Sequence, residues 1–166
     1  MLPGVLRPTD RNMASLRFVR TVWDAFRASS GLEPRLLDTL QVTAARPGRV
    51  DLSLQIERHH TNRLGSVHGG TISSLVDLGG SLAVASKGLF ATGVSTDLNV
   101  TFLASAGKVG DTLRCEVECD KFGKTMAFTR AVFLNEKGET VARGSHSKFV
   151  KTAWDDERNR VQEMVD

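Results

Sequence analysis

The stretch Asn62–Gly80, NRLGSVHGGTISSLVDLGG, decides how the whole chain is read. After the paired glycines Gly69 and Gly70 the residues fall into helical spacing, which continues to Ser86. Asp77 is the one charged residue in that run before Lys87. A surface helix normally carries a polar face rich in lysine and glutamate. Ser, Thr, Gly and a lone carboxylate stand here instead. At about 100° per residue, Ile72, Leu75, Val76, Gly79 and Ala83 make one stripe, and Asp77 lies about 140° from Ile72 on a side shared with Ser73, Ser74 and Ser81. The first stripe suits a sheet. The second lacks the side chains of a solvent face, so it is expected to meet a partner subunit or a ligand.

A carboxylate partly withdrawn from water is costly unless hydrogen-bonded, and such withdrawal is one way a general base is made. Spacing alone leaves Asp77 as either that base or a structural acid bonded to nearby serines. Gly69 and Gly70 would leave the first-turn N–H groups uncovered. A helix N-terminus aims such donors at negative charge, including a developing oxyanion. Two glycines also simply permit a tight turn. His68, beside the positive helix end, suits a neutral donor. Asn62 is either an amide donor to the same carbonyl or the head of an Asx-turn. His59 and His60 read as exposed turn residues.

The other segments supply the frame. Val50, Leu52, Leu54 and Ile56 alternate with polar residues, as a half-buried strand does. The same alternation runs through Val94, Thr96, Leu98, Val100 and Phe102, and through Leu113, Cys115, Val117 and Cys119. LLDTLQVTA before the ARPGR turn reads as a further strand, KTMAFTRAVFL as a central one, and TVARGSHSKFV as its return. Connections this short favour antiparallel pairing. The expected fold is α+β: one long central helix against about six antiparallel strands, preceded by an extra N-terminal helix through Leu16, Val19, Trp23 and Phe26. Residues 1–13 are expected to form a flexible arm, 14–150 the domain, and 151–166 a polar tail, either a short helix or frayed. The arginine-rich N-terminus admits two readings, a packed first helix or a mitochondrial presequence. The compartment is left as cytoplasm or mitochondrion.

Composition excludes several classes. The chain has 166 residues, 40% hydrophobic and 25% charged, with a net charge of +3. That is one globular domain, too weakly basic to argue for nucleic acid. No apolar run approaches the roughly 18 residues of a membrane span. Cys115 and Cys119, four apart on a strand, would have Cα atoms about 13 Å apart, beyond the roughly 7 Å a disulfide allows. Free thiols in a reducing compartment are expected. The four histidines lack metal-site spacing. The sequence also lacks a G-x-S-x-G elbow and a GxGxxG or Walker A loop.

HTNRLGSVHGGTISSLVDLGG, followed by GVSTDLNVTFLASA, DKFGKTMAFT and ARGSHSKFV, closely resembles the hotdog-fold thioesterases. The nearest branches are the phenylacetyl-CoA type and the thioesterase superfamily member 2 (acyl-CoA thioesterase 13) type. The likeness runs from about Ala14 to Val150. It implies hydrolysis of acyl-CoA to a free acid and CoA, with CoA as part of the substrate and no cofactor or metal. Asp77 takes the place of the base, Gly69 N–H and Asn62 polarise the thioester carbonyl, His68 supports them, and Ser95 positions the water or Asp77. Asn62 and Gly69 then belong to one subunit and Asp77 and Ser95 to its partner, in a homodimer that pairs into a homotetramer. Positions matching CoA contacts are Gly70, Asp97, and the run Phe102, Leu103, Ala104, Ser105, Ala106, Gly107. Lys121, Phe122, Gly123, Lys124 and Thr125 match a second segment, and His146 and Lys148 a third. Lys121, Lys124 and Lys148 are the expected phosphate partners. The rival readings are a non-catalytic acyl-CoA binding protein and, behind it, a hydratase on the same fold.

Overall fold

A computed structural model describes residues 7–164. The first six residues of the expected arm lie outside that description, and the rest of the arm is corrected: helix α1 spans Pro8–Ser29. Pro8 stands in the first turn, where its missing N–H costs nothing. Arg7 Nε meets Asp10 Oδ2 at 3.0 Å, putting an acid near the positive helix end. Val19, Val22 and Trp23 are buried in the main core. The Arg20 guanidinium bonds the Val42 carbonyl at 2.9 Å, which ties the helix to the first strand.

A single turn of helix, α2 (Glu33–Leu36), follows. Strand β1 is Leu40–Arg46, so LLDTLQVTA is strand only in its second half. The reason is local: Leu37 N–H bonds Glu33 O at 2.8 Å, which keeps the chain helical until Leu37 is buried. The remaining elements are β2 (Arg49–Gln55), α3 (Gly69–Ala85), β3 (Val94–Phe102), β4 (Thr112–Phe122), β5 (Met126–Leu134), β6 (Thr140–Phe149) and α4 (Val161–Met164). The strands form one antiparallel sheet in the order β1-β2-β4-β5-β6-β3, with α3 packed against it.

Helix α3 lies unusually close to the sheet because three glycines remove side chains from the contact. A Cβ on Gly79 would stand 2.8 Å from Val117 Cγ2, one on Gly144 of β6 would stand 2.6 Å from Val76 Cγ2, and one on Gly80 would stand 2.4 Å from His146 Nδ1. Glycine inside a helix costs about 1 kcal/mol relative to alanine, and close packing offsets it.

The polar tail is docked rather than frayed. A 3-10 turn at Lys151–Asp155 precedes α4. Trp154 packs on Phe122 with ring centroids 5.3 Å apart. The Phe90 N–H donates to Asn159 Oδ1 at 2.8 Å. Met164 is buried. Both cysteines are free thiols; burial pushes Cys119 up to about 11 and Cys115 higher still, so neither is a ready thiolate at neutral pH.

Strand β3 departs from the half-buried pattern its alternation suggests. It lies at the sheet edge and pairs with β6 alone. Val94 is 63% exposed and Phe102 54%. A bulge falls between Ser95 and Asp97, where Thr96 is the extra residue. The bulge changes the parity of the strand, so Ser95 and the later Val100 and Phe102 all turn towards α3.

Gly80→Ala tests the tight contact, because two effects oppose each other. Helix propensity would stabilise by about 1 kcal/mol. Overpacking against His146 and Thr129 would destabilise by about 1–3 kcal/mol. A fall in thermal midpoint is expected in differential scanning calorimetry; a rise would show that the helix can back away freely.

Candidate active site

Asp77 sits half-exposed on α3, with its carboxylate held from the sheet side. The Ser95 hydroxyl donates to Asp77 Oδ1 at 2.8 Å. His146 Nε2 lies 3.1 Å from the same oxygen and 2.8 Å from Ser95 Oγ. Because the Ser95 hydroxyl gives its proton to the carboxylate, its oxygen accepts from His146 Nε2. The Ser95 hydroxyl is the donor to Oδ1, and His146 stands behind it, bonded to Ser95 Oγ. Among the described residues Oδ2 has no donor, which leaves it as the oxygen that can meet water.

His146 is 1% exposed. Burial, then the positive charge of Lys148, pushes its pKa down to about 4, so it is a neutral donor at pH 7. Its Nδ1 is buried and unpaired. Lys148 is 3% exposed, with Nζ donating to Ser81 Oγ at 2.8 Å. Burial holds that ammonium below the usual lysine value.

A second group gathers at the N-terminus of the same helix. His68 caps α3: its Nδ1 accepts the Gly70 N–H at 2.8 Å. One of the two supposedly open amides is therefore taken, and the Gly69 N–H is the one that remains uncapped. Because Nδ1 accepts, a neutral His68 carries its proton on Nε2. Asn62 Oδ1 accepts from Leu64 N–H at 2.9 Å and Ser66 N–H at 3.2 Å. The Asx-turn is real, and by fixing the oxygen it leaves the amide nitrogen as the outward donor. The Phe102 ring covers Gly69, where an added Cβ would meet it at 3.1 Å. Ser66 Oγ and Ser105 Oγ are 2.7 Å apart, and Val67 N–H bonds Gly107 O. The Phe102–Gly107 run is thus joined to the Asn62–Gly69 loop.

Sequence comparison matches residues 64–142 to the thioesterase superfamily. Human acyl-coenzyme A thioesterase 13 is 36% identical over 117 residues, 70% of this chain and 83% of that protein. The chain belongs to the thioesterase superfamily. The crystal structure of zebrafish thioesterase superfamily member 2 superposes with a TM-score of 0.74 at 33% identity, covering 81% of this chain and 96% of that one. A hypothetical thioesterase protein from Streptococcus pneumoniae, solved with coenzyme A, superposes with a TM-score of 0.65 at 26% identity, covering 69% of this chain and 88% of that one. The antiparallel sheet over a long helix is the hotdog fold of this superfamily.

Within that fold the site residues read from sequence fall into two separate groups. Asn62, His68, Gly69, Gly70 and Phe102–Gly107 lie at the start of α3; Ala106 is buried there and Gly107 half-buried. Asp77, Ser95, His146 and Lys148 lie further along it. Asp97 is exposed on β3 just past the bulge. Three expectations need correction. His146 and Lys148, read as CoA contacts, are buried beneath Asp77, because β6 turns its even-numbered residues towards α3. Ser81, read on the partner-facing side, is buried against Lys148. His60, read as exposed, is fully buried.

The β4–β5 hairpin is built by its own residues. Gly123 N–H bonds Met126 O, and Thr125 O accepts the Val150 N–H. Phe122 belongs to the Trp154 cluster. Asp120 bonds Arg130 at 2.8 Å. Lys121 and Lys124 are exposed. The role of His146 under Asp77 was missed, although Ala142, Gly144, His146 and Lys148 recur at period two in a strand expected to lie against an apolar neighbour. Polar residues on that face were the available signal.

A further cluster brings ligand-type atoms of Asp38, His59 and His60 within 4.8 Å of one another. The Glu57 N–H donates to His60 Nδ1 at 2.8 Å. The proton of the neutral ring is therefore on Nε2, which has no lone pair to offer a metal. His59 Nε2 and Asp38 Oδ1, 2.9 Å apart, form a hydrogen-bonded pair over that buried ring.

The His146 environment predicts a pH dependence. An unfolded histidine titrates near 6.5, and folded His146 near 4. Between those values the unfolded chain binds the extra proton, so stability falls as pH is lowered through that window and is retained above it. Urea unfolding between pH 7 and 4 is expected to show a smaller loss for His146→Gln than for the parent. Equal losses would contradict a buried neutral imidazole.

Proposed function

We propose that the protein is an acyl-CoA thioesterase whose active site is completed by a second copy of the chain. The observation that carries this reading is the separation between the two groups on α3. Asp77 is eight residues beyond Gly69, about 12 Å along the helix axis. A base acting on water and a donor to the carbonyl oxygen need hydrogen-bond contact, about 3 Å, with one reacting centre. A single chain therefore carries both halves of the chemistry but cannot use them on one carbonyl.

The exposed edge of β3 supplies the remedy. An unpaired edge with apolar side chains is a template for another strand. Antiparallel pairing of two β3 edges about an axis between Leu98 and Asn99 sets Ser95 opposite the partner's Phe102. Phe102 covers Gly69 in its own chain, so Asp77 arrives beside the partner's Gly69. The dimer is isologous, with two equal sites. Dimers pairing into tetramers belong to the same proposal.

In each site the Gly69 N–H and the Asn62 amide hold the thioester oxygen, with His68 beside them. Asp77 from the other protomer accepts a proton from water as the water oxygen attacks the carbonyl carbon. The tetrahedral oxyanion collapses, the C–S bond breaks, and the electron pair leaves with the CoA sulfur. That sulfur takes the proton, giving a carboxylic acid and CoA. Ser95, itself held by His146, fixes Oδ1 so that Oδ2 faces the water. Coenzyme A in the related Streptococcus pneumoniae structure supports CoA as the carrier. Here Asp97, Phe102–Gly107 and Asp120–Thr125 would flank it, with Lys121 and Lys124 available to its phosphates.

Two tests follow. Asp77→Asn is expected to lower kcat for acyl-CoA, read by free-thiol release, by about 10²–10⁴-fold. Binding of acyl-CoA by the parent without thiol release would instead favour the non-catalytic binding protein. Mixing inactive Asn62→Ala and Asp77→Asn proteins after unfolding and co-refolding yields heterodimers with one intact site. Recovery of about a quarter of parental activity is expected for random pairing. No recovery would mean that each site lies within one chain.

A further inference from the structure

Lys148 is a buried cation that the reaction above does not use. Its Nζ donates to Ser81 Oγ at 2.8 Å, and the Ser81 hydroxyl donates to the backbone carbonyl of Asp77 at 3.1 Å. Lysine and serine are both nearly inaccessible to solvent. Lys148 lies directly opposite Ser95 in the β3–β6 ladder, and His146 shares its face of β6. Among the described residues it forms no ion pair, and Asp77 is the acidic group whose field favours its charge.

Removing an ammonium from water is costly unless a nearby charge or hydrogen bonds compensate. A methionine would fill this space without that cost. The charge is therefore retained for what it does to its neighbours. The groups around it are Asp77 from α3, His146 on its own strand, Ser95 opposite it on β3, and the neutral Ala127 opposite it on β5, while Thr129 of β5 stands opposite His146 and Asp97 of β3 acts on His146.

We propose that Lys148 is a positioning residue for Asp77: pinned through Ser81 to the Asp77 carbonyl, opposite Ser95 and on the same face of β6 as His146, its ammonium sets how these two groups meet the Asp77 carboxylate. This rests on the thioesterase reading of the same site. Without the ammonium, burial would still oppose a charged His146, but the pull of Asp77 and Asp97 would be less opposed and the ring would take up its proton at higher pH. The resulting imidazolium would pair with the carboxylate and take away its capacity to accept a proton from water. The Ser81 link has a second effect, holding the turn of α3 that carries Asp77 against β6.

The test compares Lys148→Met, Lys148→Arg and Ser81→Ala in the full-length protein. It reads kcat and KM against pH by thiol release, and His146 titration by NMR of the imidazole. Lys148→Met is expected to lower kcat at neutral pH by about tenfold or more, with little change in KM. Its acid limb should move to higher pH and its His146 should titrate above about 4. Lys148→Arg should restore the acid limb. Ser81→Ala, which keeps the charge, should lower kcat and leave the acid limb in place. Parental kcat, acid limb and His146 titration in Lys148→Met would overturn the proposal. Should Lys148→Met fail to fold, unchanged kcat in Ser81→Ala would overturn it. If the parent shows no turnover, the thioesterase reading fails, and the His146 titration still decides what Lys148 does.

Discussion

The structure depends on one carboxylate oxygen. Asp77 Oδ1 accepts the Ser95 hydroxyl, which His146 holds from the neighbouring strand, and much of the surrounding architecture exists to bring them there. The bulge at Thr96 turns Ser95 towards the helix. Gly80 gives up a side chain so that the His146 ring can lie beneath α3. Burial and a lysine keep that ring uncharged. A helix pressed this tightly against a sheet cannot tolerate a large side chain at the contact. It can, however, hold a polar cluster rigidly, because each member is fixed by packing as well as by hydrogen bonds.

The same helix orders the second group. Its N-terminus is capped by His68, which takes the Gly70 amide and leaves the Gly69 amide open. The Asx-turn at Asn62 points a side-chain donor the same way. Helix geometry sets the two groups two turns apart, so the chemistry of one chain stays divided. The apolar edge of β3 is where the proposed partner joins them. Exposure that would be a liability in a monomer becomes, in the proposed dimer, the seam at which the site forms.

Much of this was readable in the residues. The lone acid on an otherwise uncharged helix marked α3 and its unusual face, and period-two alternation marked β2 and β4. The spacing of Leu16, Val19, Trp23 and Phe26 marked α1 and its buried side, whereas the docking of the C-terminal segment was less visible, because its buried residues are sparse among charged ones. Leu36–Thr39 looked like strand because apolar composition alone does not distinguish a helical turn from an extended segment. His146 and Lys148 were matched to CoA contacts by the family resemblance, which aligns positions but not the side of a strand on which a residue falls. Only the identity of the neighbouring strands reveals that their side of β6 lies under the helix.

By itself the sequence determined the elements, the antiparallel layering, the unusual helix and the set of chemically capable residues, since these follow from local periodicity and side-chain type. Tertiary structure alone decided which of those residues touch. The bulge that reverses the parity of β3, the glycine gap that admits an imidazole, and the edge position of β3 all arise from contacts between segments distant in the chain. Such contacts are set by the shape of the packed whole, which no local pattern encodes.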